Sequence, residues 1–145
     1  MTVAYHKFDC FVEDQNEGKH DFSSGAYKIA LTNTLPLASQ TVFDAVTNHP
    51  PPAAANGYPA GGEDVPVVTS GQTAGTYTLG ADKVTFTAAG GSIGPFRYAI
   101  HYRNEGTLPL VSWWDRGDSI TLLVGESLDV KFNDDPTDGT IFTET

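Results

Sequence analysis

Phe96-Arg97-Tyr98-Ala99-Ile100-His101-Tyr102-Arg103 decides the fold class, because its large apolar side chains recur at every second position. A period of two is the repeat of an extended strand, whose successive side chains point to opposite faces. The alternation predicts a strand over 95–103 with one face buried and one face wet. The same rhythm recurs on both sides, in Tyr77/Leu79, Val84/Phe86, Ile120/Leu122/Val124 and Leu128/Val130/Phe132. It predicts strands near 65–70, 74–79, 83–88, 109–115, 119–124 and 127–132. The gaps between them hold turn chemistry, among them Ser70-Gly71, Gly90-Gly91, Asn104-Glu105-Gly106 and Arg116-Gly117-Asp118. Short strands with a turn every few residues point to an all-β chain, a single antiparallel β-sandwich or a jelly-roll-like barrel. No helical stretch is long enough for a parallel crossover.

Upstream the pattern is more mixed. Tyr27, Ile29 and Leu31 share one face of a strand over 27–32, and residues 3–13 alternate loosely enough to suggest another. In that segment Cys10 falls between Phe8 and Val12 and reads as a small buried hydrophobe, with no neighbouring motif to activate its thiol. From 35 to 63 the rhythm stops. Residues 41–48 space Val42, Ala45 and Val46 for one or two helical turns, and Pro50-Pro51-Pro52 then fixes an extended, donor-poor stretch. The expectation is one domain, 1–145, with a long N-terminal loop and an irregular connector over 35–63. That connector is either exposed or an arm reaching onto a neighbouring subunit.

Bulk properties limit the partners. The 145 residues carry 18 acidic and eight basic side chains, a net charge of −10, which repels phosphate backbones and anionic bilayers. Neither nucleic acid nor membrane is therefore an expected partner. A chain that is 11% aromatic has the bulky side chains a packed core needs, unlike a disordered one. The start, MTVAYHKFDC, lacks a charged segment followed by an apolar run, so the expected site of synthesis is a reducing cytoplasm.

Catalytic signatures are missing from the pattern, and no enzyme activity or cofactor is expected. Ser92 stands in a Gly-x-Ser-x-Gly spacing (Gly90 to Gly94), but the strand-to-helix turn a nucleophile elbow needs is absent there, and His6, His20, His49 and His101 are scattered. His101 shares its strand face with Arg97 and Arg103, which suggests a wet or interface position. Asn133, Asp134, Asp135 and Asp138 form an acidic turn without EF-hand spacing, better read as solvated than as a calcium site. Gly90-Gly91-Ser92-Ile93-Gly94-Pro95 leads into a strand rather than a helix, which makes it a connector and not a phosphate cradle. Asp115-Arg116-Gly117-Asp118 reads as a hairpin turn with a local charge pair. Trp113 and Trp114 are adjacent, so a strand sends them to opposite faces: one into the core, the other to a loop, a subunit interface or a sugar ring.

Several segments together resemble a family. Tyr58-Pro59-Ala60-Gly61-Gly62-Glu63-Asp64-Val65, Ala88-Ala89-Gly90-Gly91-Ser92-Ile93, Arg97-Tyr98-Ala99-Ile100-His101-Tyr102 and Leu108-Pro109-Leu110-Val111-Ser112-Trp113-Trp114-Asp115-Arg116-Gly117 are similar, in that order, to small virion structural proteins of tailed bacteriophages. The likeness spans about residues 25–132 and departs from the family pattern at Trp114, Arg116 and the proline-rich 49–59 loop. It implies a decoration (cement) protein on the capsid surface of the virion, made in the host cytoplasm, bound to the major capsid protein and to itself as a homotrimer. A tail or head-fibre component, or a carbohydrate- or receptor-binding sandwich, is the alternative. The interface expected on this reading comprises Tyr5, His6 and Phe8 in the N-terminal segment, Pro50, Pro51, Pro52 and Tyr58 in the connector, and the Trp113/Trp114 pair. No metal or cofactor site is expected.

Overall fold

The computed structural model describes residues 4–132 and 139–144. In chain order the elements are β1 (Ala4–Lys7), α1 (Cys10–Asn16), β2 (Tyr27–Thr32), β3 (Glu63–Asp64), β4 (Val67–Thr73), β5 (Thr76–Ala81), β6 (Val84–Thr87), β7 (Ile93–Arg103), β8 (Leu110–Leu122), β9 (Ser127–Val130) and β10 (Gly139–Glu144). They form a five-stranded sheet ordered β1-β8-β7-β2-β3, a three-stranded sheet β10-β5-β4 and a pair β6-β9. Every pairing is antiparallel. The fold is an all-β, sandwich-like arrangement whose sheets do not close into a barrel.

The main core joins the large sheet to the two smaller ones. Tyr27, Ile29 and Leu31 of β2 lie in it on one face, as their spacing requires, with Trp114 of β8, Leu79 of β5, Phe86 of β6 and Ile141 of β10. A second cluster covers the opposite face of the same sheet and contains Phe8, Ala30, Phe43, Tyr98, Ile100, Tyr102, Leu110 and Trp113. The large sheet is therefore buried on both sides at its centre, and the expected wet face of 95–103 is absent: Tyr98 through Tyr102 are all buried.

The alternation also changes phase. Phe96 packs in the main core while Tyr98, two residues on, packs in the second cluster. The cause is a wide bulge: Phe96 pairs with Ile120 and Tyr98 with Asp115, so Arg116–Ser119 of β8 stand opposite Arg97 alone. The turn expected at Arg116-Gly117-Asp118 is this excursion inside one strand, and the segments expected at 109–115 and 119–124 belong together to β8.

The N-terminal segment departs from its expected strand after Lys7. Residues 10–16 are helical, with Phe11 and Asp14 pointing inward at a spacing of three. Phe11 meets Phe22 and Phe142, while Asp14 accepts from Lys19 Nζ at 3.0 Å. Cys10 opens this helix half-buried, its Sγ 3.6 Å from the Gln40 carbonyl oxygen, and burial followed by the nearby Asp14 charge pushes its thiol up to about 11.

The connector is not helical, and much of it is exposed, but Phe43, His49 and Tyr58 anchor it against the sheets. Asp44 turns its carboxylate onto the N–H groups of Val46 and Thr47, at 2.9 and 3.1 Å, which closes a local turn in place of the helix expected at 41–48. Phe43 stacks on Tyr102 at 4.2 Å and on His49, which is fully buried. His49 Nδ1 accepts from the Asp44 N–H at 3.1 Å, which leaves Nε2 to donate to Gln40 Oε1 at 2.9 Å. Farther on, the Tyr58 hydroxyl accepts from the Leu31 N–H at 3.0 Å and its ring stacks on Phe86. At Gly62, with φ of +96°, a side chain would collide with the Ile29 carbonyl, so glycine is what lets the connector rejoin the sheet. The connector is the second cover of the large sheet.

Candidate docking surface

The nine residues expected at an interface divide by burial. Tyr5 and His6 are exposed on β1, the edge strand of the large sheet. Tyr5 meets Trp114 edge-on at 5.4 Å, and His6 stacks on Trp113 at 4.9 Å. Phe8 is wholly buried and packs on Trp113 at 4.5 Å, so it is a core residue rather than a contact for another molecule. Trp113 and Trp114 do point to opposite faces, but both faces are covered and the two side chains are 7% and 6% exposed. The outward Trp that sugar stacking requires is therefore missing. Pro50 is exposed, Pro51 and Pro52 are half-buried, and Tyr58 is buried. The Pro50 carbonyl accepts from Thr32 Oγ1 at 3.0 Å, which ties the proline run to β2.

His101, expected at a wet position, is fully buried among Phe22, Tyr27 and Trp114. Burial, with a small addition from His20, lowers its pKa to about 3. Neither of its ring nitrogens has a hydrogen-bond partner among the described residues, nor has Oγ of Ser112, its cross-strand neighbour. His20 caps the same aromatic group, with Nδ1 3.1 Å from the Tyr27 hydroxyl, and burial lowers it to about 4. Among the described residues no three His, Cys, Asp or Glu side chains converge to hold a metal ion. The acidic turn 133–138 lies outside the described residues. No described helix is long and apolar enough to cross a membrane.

The feature that sequence reasoning passed over is β4. Among the described residues it pairs only with β5, and Val68 through Thr73 are exposed on both faces. The hairpin closes through Ala74 and Gly75, both at positive φ, the conformation a two-residue β-turn needs. Gln72 Oε1 accepts from the Gly75 N–H at 3.0 Å, and the Ser70 and Tyr77 hydroxyls meet at 2.8 Å, so the hairpin is braced from within. A bulge at Val68 marks its base and leaves Thr69–Thr73 in regular register. Edge strands are ordinarily protected by charge, proline, bulges or shortness. Here β3 is two residues long, β1 carries Lys7, β10 carries Glu144, β9 is four residues long and carries Asp129, and the four-residue β6 is followed by Ala89, whose N–H donates to the Asn56 carbonyl of the connector. Among the described residues β4 is the longest of the edge strands, and it has no charged residue. Its composition signals this: Val-Val-Thr-Ser-Gly-Gln-Thr has neither an apolar alternation nor a charge, so it has no face to bury and no guard against pairing.

Neither a scan against protein-family models nor searches of curated proteins and of solved structures gave a match to this chain.

Proposed function

We propose that this chain is a structural docking protein that binds another protein by strand addition along β4. Its setting, by the resemblance noted above, is the outer surface of a tailed-phage capsid, where it acts as a decoration protein. The observation that carries the reading is the uncharged free edge of β4, held on a braced hairpin with its main-chain groups facing solvent. Adding a strand there supplies affinity through backbone hydrogen bonds, with alternate side chains giving specificity. The doubly covered sheet behind it supplies the rigid body that such a contact needs. The major capsid protein is the proposed partner, a homotrimer the proposed state on the shell, and the effect mechanical: bonds across capsomer joints oppose the pressure of packaged DNA.

The test is co-sedimentation of the purified protein with expanded capsids lacking it. Wild type should saturate at a fixed copy number, and Thr69→Lys/Thr73→Lys should lose binding while keeping its melting temperature, because both positions are exposed. Failure of wild type to bind, or equal binding by the double variant, overturns the proposal. A glycan array that gives strong signals where capsids give none would move the protein to the carbohydrate-binding class.

A further inference from the structure

Away from β4, the sandwich opens between β9 and the bulged parts of β7 and β8 into a cleft of about 210 Å³. Its apolar lining includes Leu31, Phe96, Trp114 and Leu128, and its polar lining includes Arg97, Arg116 and Lys131. Three of the chain's eight cationic side chains thus meet at one concavity of a protein that carries 18 acids. The acid in the lining, Asp129, already accepts from Thr85 Oγ1 at 2.7 Å and from Lys83 Nζ at 3.1 Å.

The guanidinium groups are positioned but not used up. Arg97 gives Nε and one Nη to Asp115 at 2.8 and 3.1 Å and lies over the Tyr98 ring at 5.3 Å, which fixes its plane. Arg116 makes a single bond to Asp118 at 3.3 Å. A guanidinium has five N–H donors, so among the described residues both retain donors for a further acceptor. The bulge that breaks the β7–β8 ladder is what puts Arg116 beside Arg97.

We propose that this cleft binds an apolar carboxylate: a carboxylate group held by Arg116 and Arg97, on an aromatic or branched aliphatic body seated against Trp114. The chemistry is shared by a small organic acid and by the carboxy terminus of a polypeptide ending in an apolar residue. The site is separate from β4 and stands or falls independently of strand addition.

The probes are 3-phenylpropionate and its uncharged amide, added to the full chain and followed through the indole N–H signal of Trp114 in NMR spectra. Trp113 lies on the other face of the sheet and serves as the internal control. The acid should shift the Trp114 signal saturably, and the amide should bind about tenfold more weakly or less, since charge-assisted bonds are roughly twice as strong as neutral ones. Arg116→Gln should weaken the acid by about tenfold with the amide unchanged. Arg116 makes one exposed bond, so this variant is expected to fold, and an unchanged melting curve checks that. A leucyl-phenylalanine peptide with a free carboxy terminus separates the sources: tighter binding than 3-phenylpropionate supports a chain end, equal binding supports a small acid. No shift of the Trp114 signal, equal binding of acid and amide, or an Arg116→Gln variant that binds the acid as wild type does would each overturn the proposal.

Discussion

His101→Phe should remove a defined part of the protein's acid sensitivity. In the folded chain His101 is enclosed by Phe22, Tyr27 and Trp114, and burial holds its pKa at about 3 against an unfolded value of 6.5. Above pH 6.5 neither state binds the proton, so the residue adds no pH dependence. Between 6.5 and 3 the unfolded chain binds one more proton than the folded one, and stability falls as the pH falls. At about 1.36 kcal/mol per pH unit, the loss from pH 7 to pH 5 is about 2 kcal/mol from this side chain alone. His20 and His49, both lowered chiefly by burial, add loss of the same sign. The carboxylates of Asp21, Asp44, Glu105, Asp115 and Asp129 are also lowered, through hydrogen bonds. Their stabilising contribution is present above the unfolded carboxylate range and is lost only as the pH falls through and below it, about 4.

The assay is urea unfolding followed by tryptophan fluorescence at pH 7, 6 and 5, for wild type and His101→Phe. The phenyl ring changes the packing, so the pH 7 values set each protein's baseline and the slope decides. Wild type should lose about 2 kcal/mol more than the variant between pH 7 and pH 5. Equal losses in the two proteins, or a His101 ring that titrates near 6.5 in the folded state by NMR, would refute the reasoning.

Other substitutions test the two-sided burial of the large sheet. Phe43→Ala, which removes the ring stacked on Tyr102, should cost about 3–5 kcal/mol by chemical denaturation, as a core deletion does. Trp113→Ala and Trp114→Ala should each cost a similar ~3–5 kcal/mol, whereas a Trp on an open face would cost one of them far less. Gly62→Ala should lower stability by more than ~2 kcal/mol, or prevent folding, because the positive φ and the Ile29 carbonyl leave no room for a methyl group. Cys10, with its thiol raised to about 11, should react with iodoacetamide at pH 8 about a hundredfold more slowly than a thiol at its ordinary value, and lose that protection in urea.

The strands were legible where side chains alone set the period. Tyr27, Ile29 and Leu31 alternate onto one face, and β2 occupies the expected 27–32. Alternation shows that a strand exists but does not show what covers its second face. His101 and Tyr102 look like the wet and dry sides of one strand, yet both are buried, because Phe8 and the connector's Phe43 and His49 supply a second cover from distant parts of the chain. The bulge opposite Arg97 was equally hidden. Arg116-Gly117-Asp118 has the composition of a turn, and only the register with β7 shows that the chain continues as β8 through it. At the N-terminus, Phe8, Cys10 and Val12 fit a period of two over three residues, too short a run to exclude the helix whose inward positions are Phe11 and Asp14. Of the expected interface, Tyr5, His6 and Pro50 are exposed, whereas the large aromatics were legible as important side chains but not as surface ones.

That division narrows, by elimination of faces, where the proposed docking can occur. The central strands of the large sheet have neighbours on both sides, and both of its faces are packed, so neither its backbone nor its flat surfaces are open to a partner there. What stays open is periphery: the Tyr5 and His6 edge, the β4 hairpin, the outer side of the connector with Leu35, Leu37 and Val46, and the cleft where a bulge holds β7 and β8 away from β9. These places differ in chemistry. β1 is four residues long and carries a lysine, the cleft has cations above an apolar floor, and β4 presents uncharged backbone alone. The chain carries a net charge of −10, and on an uncharged edge the gain of backbone pairing does not depend on ion pairs. Salt separates strand pairing from ion pairing. Binding through β4 should hold as ionic strength rises, because screening weakens ion pairs and leaves the main-chain bonds. Binding that weakens steeply with salt would transfer the docking role from β4 to the cationic cleft.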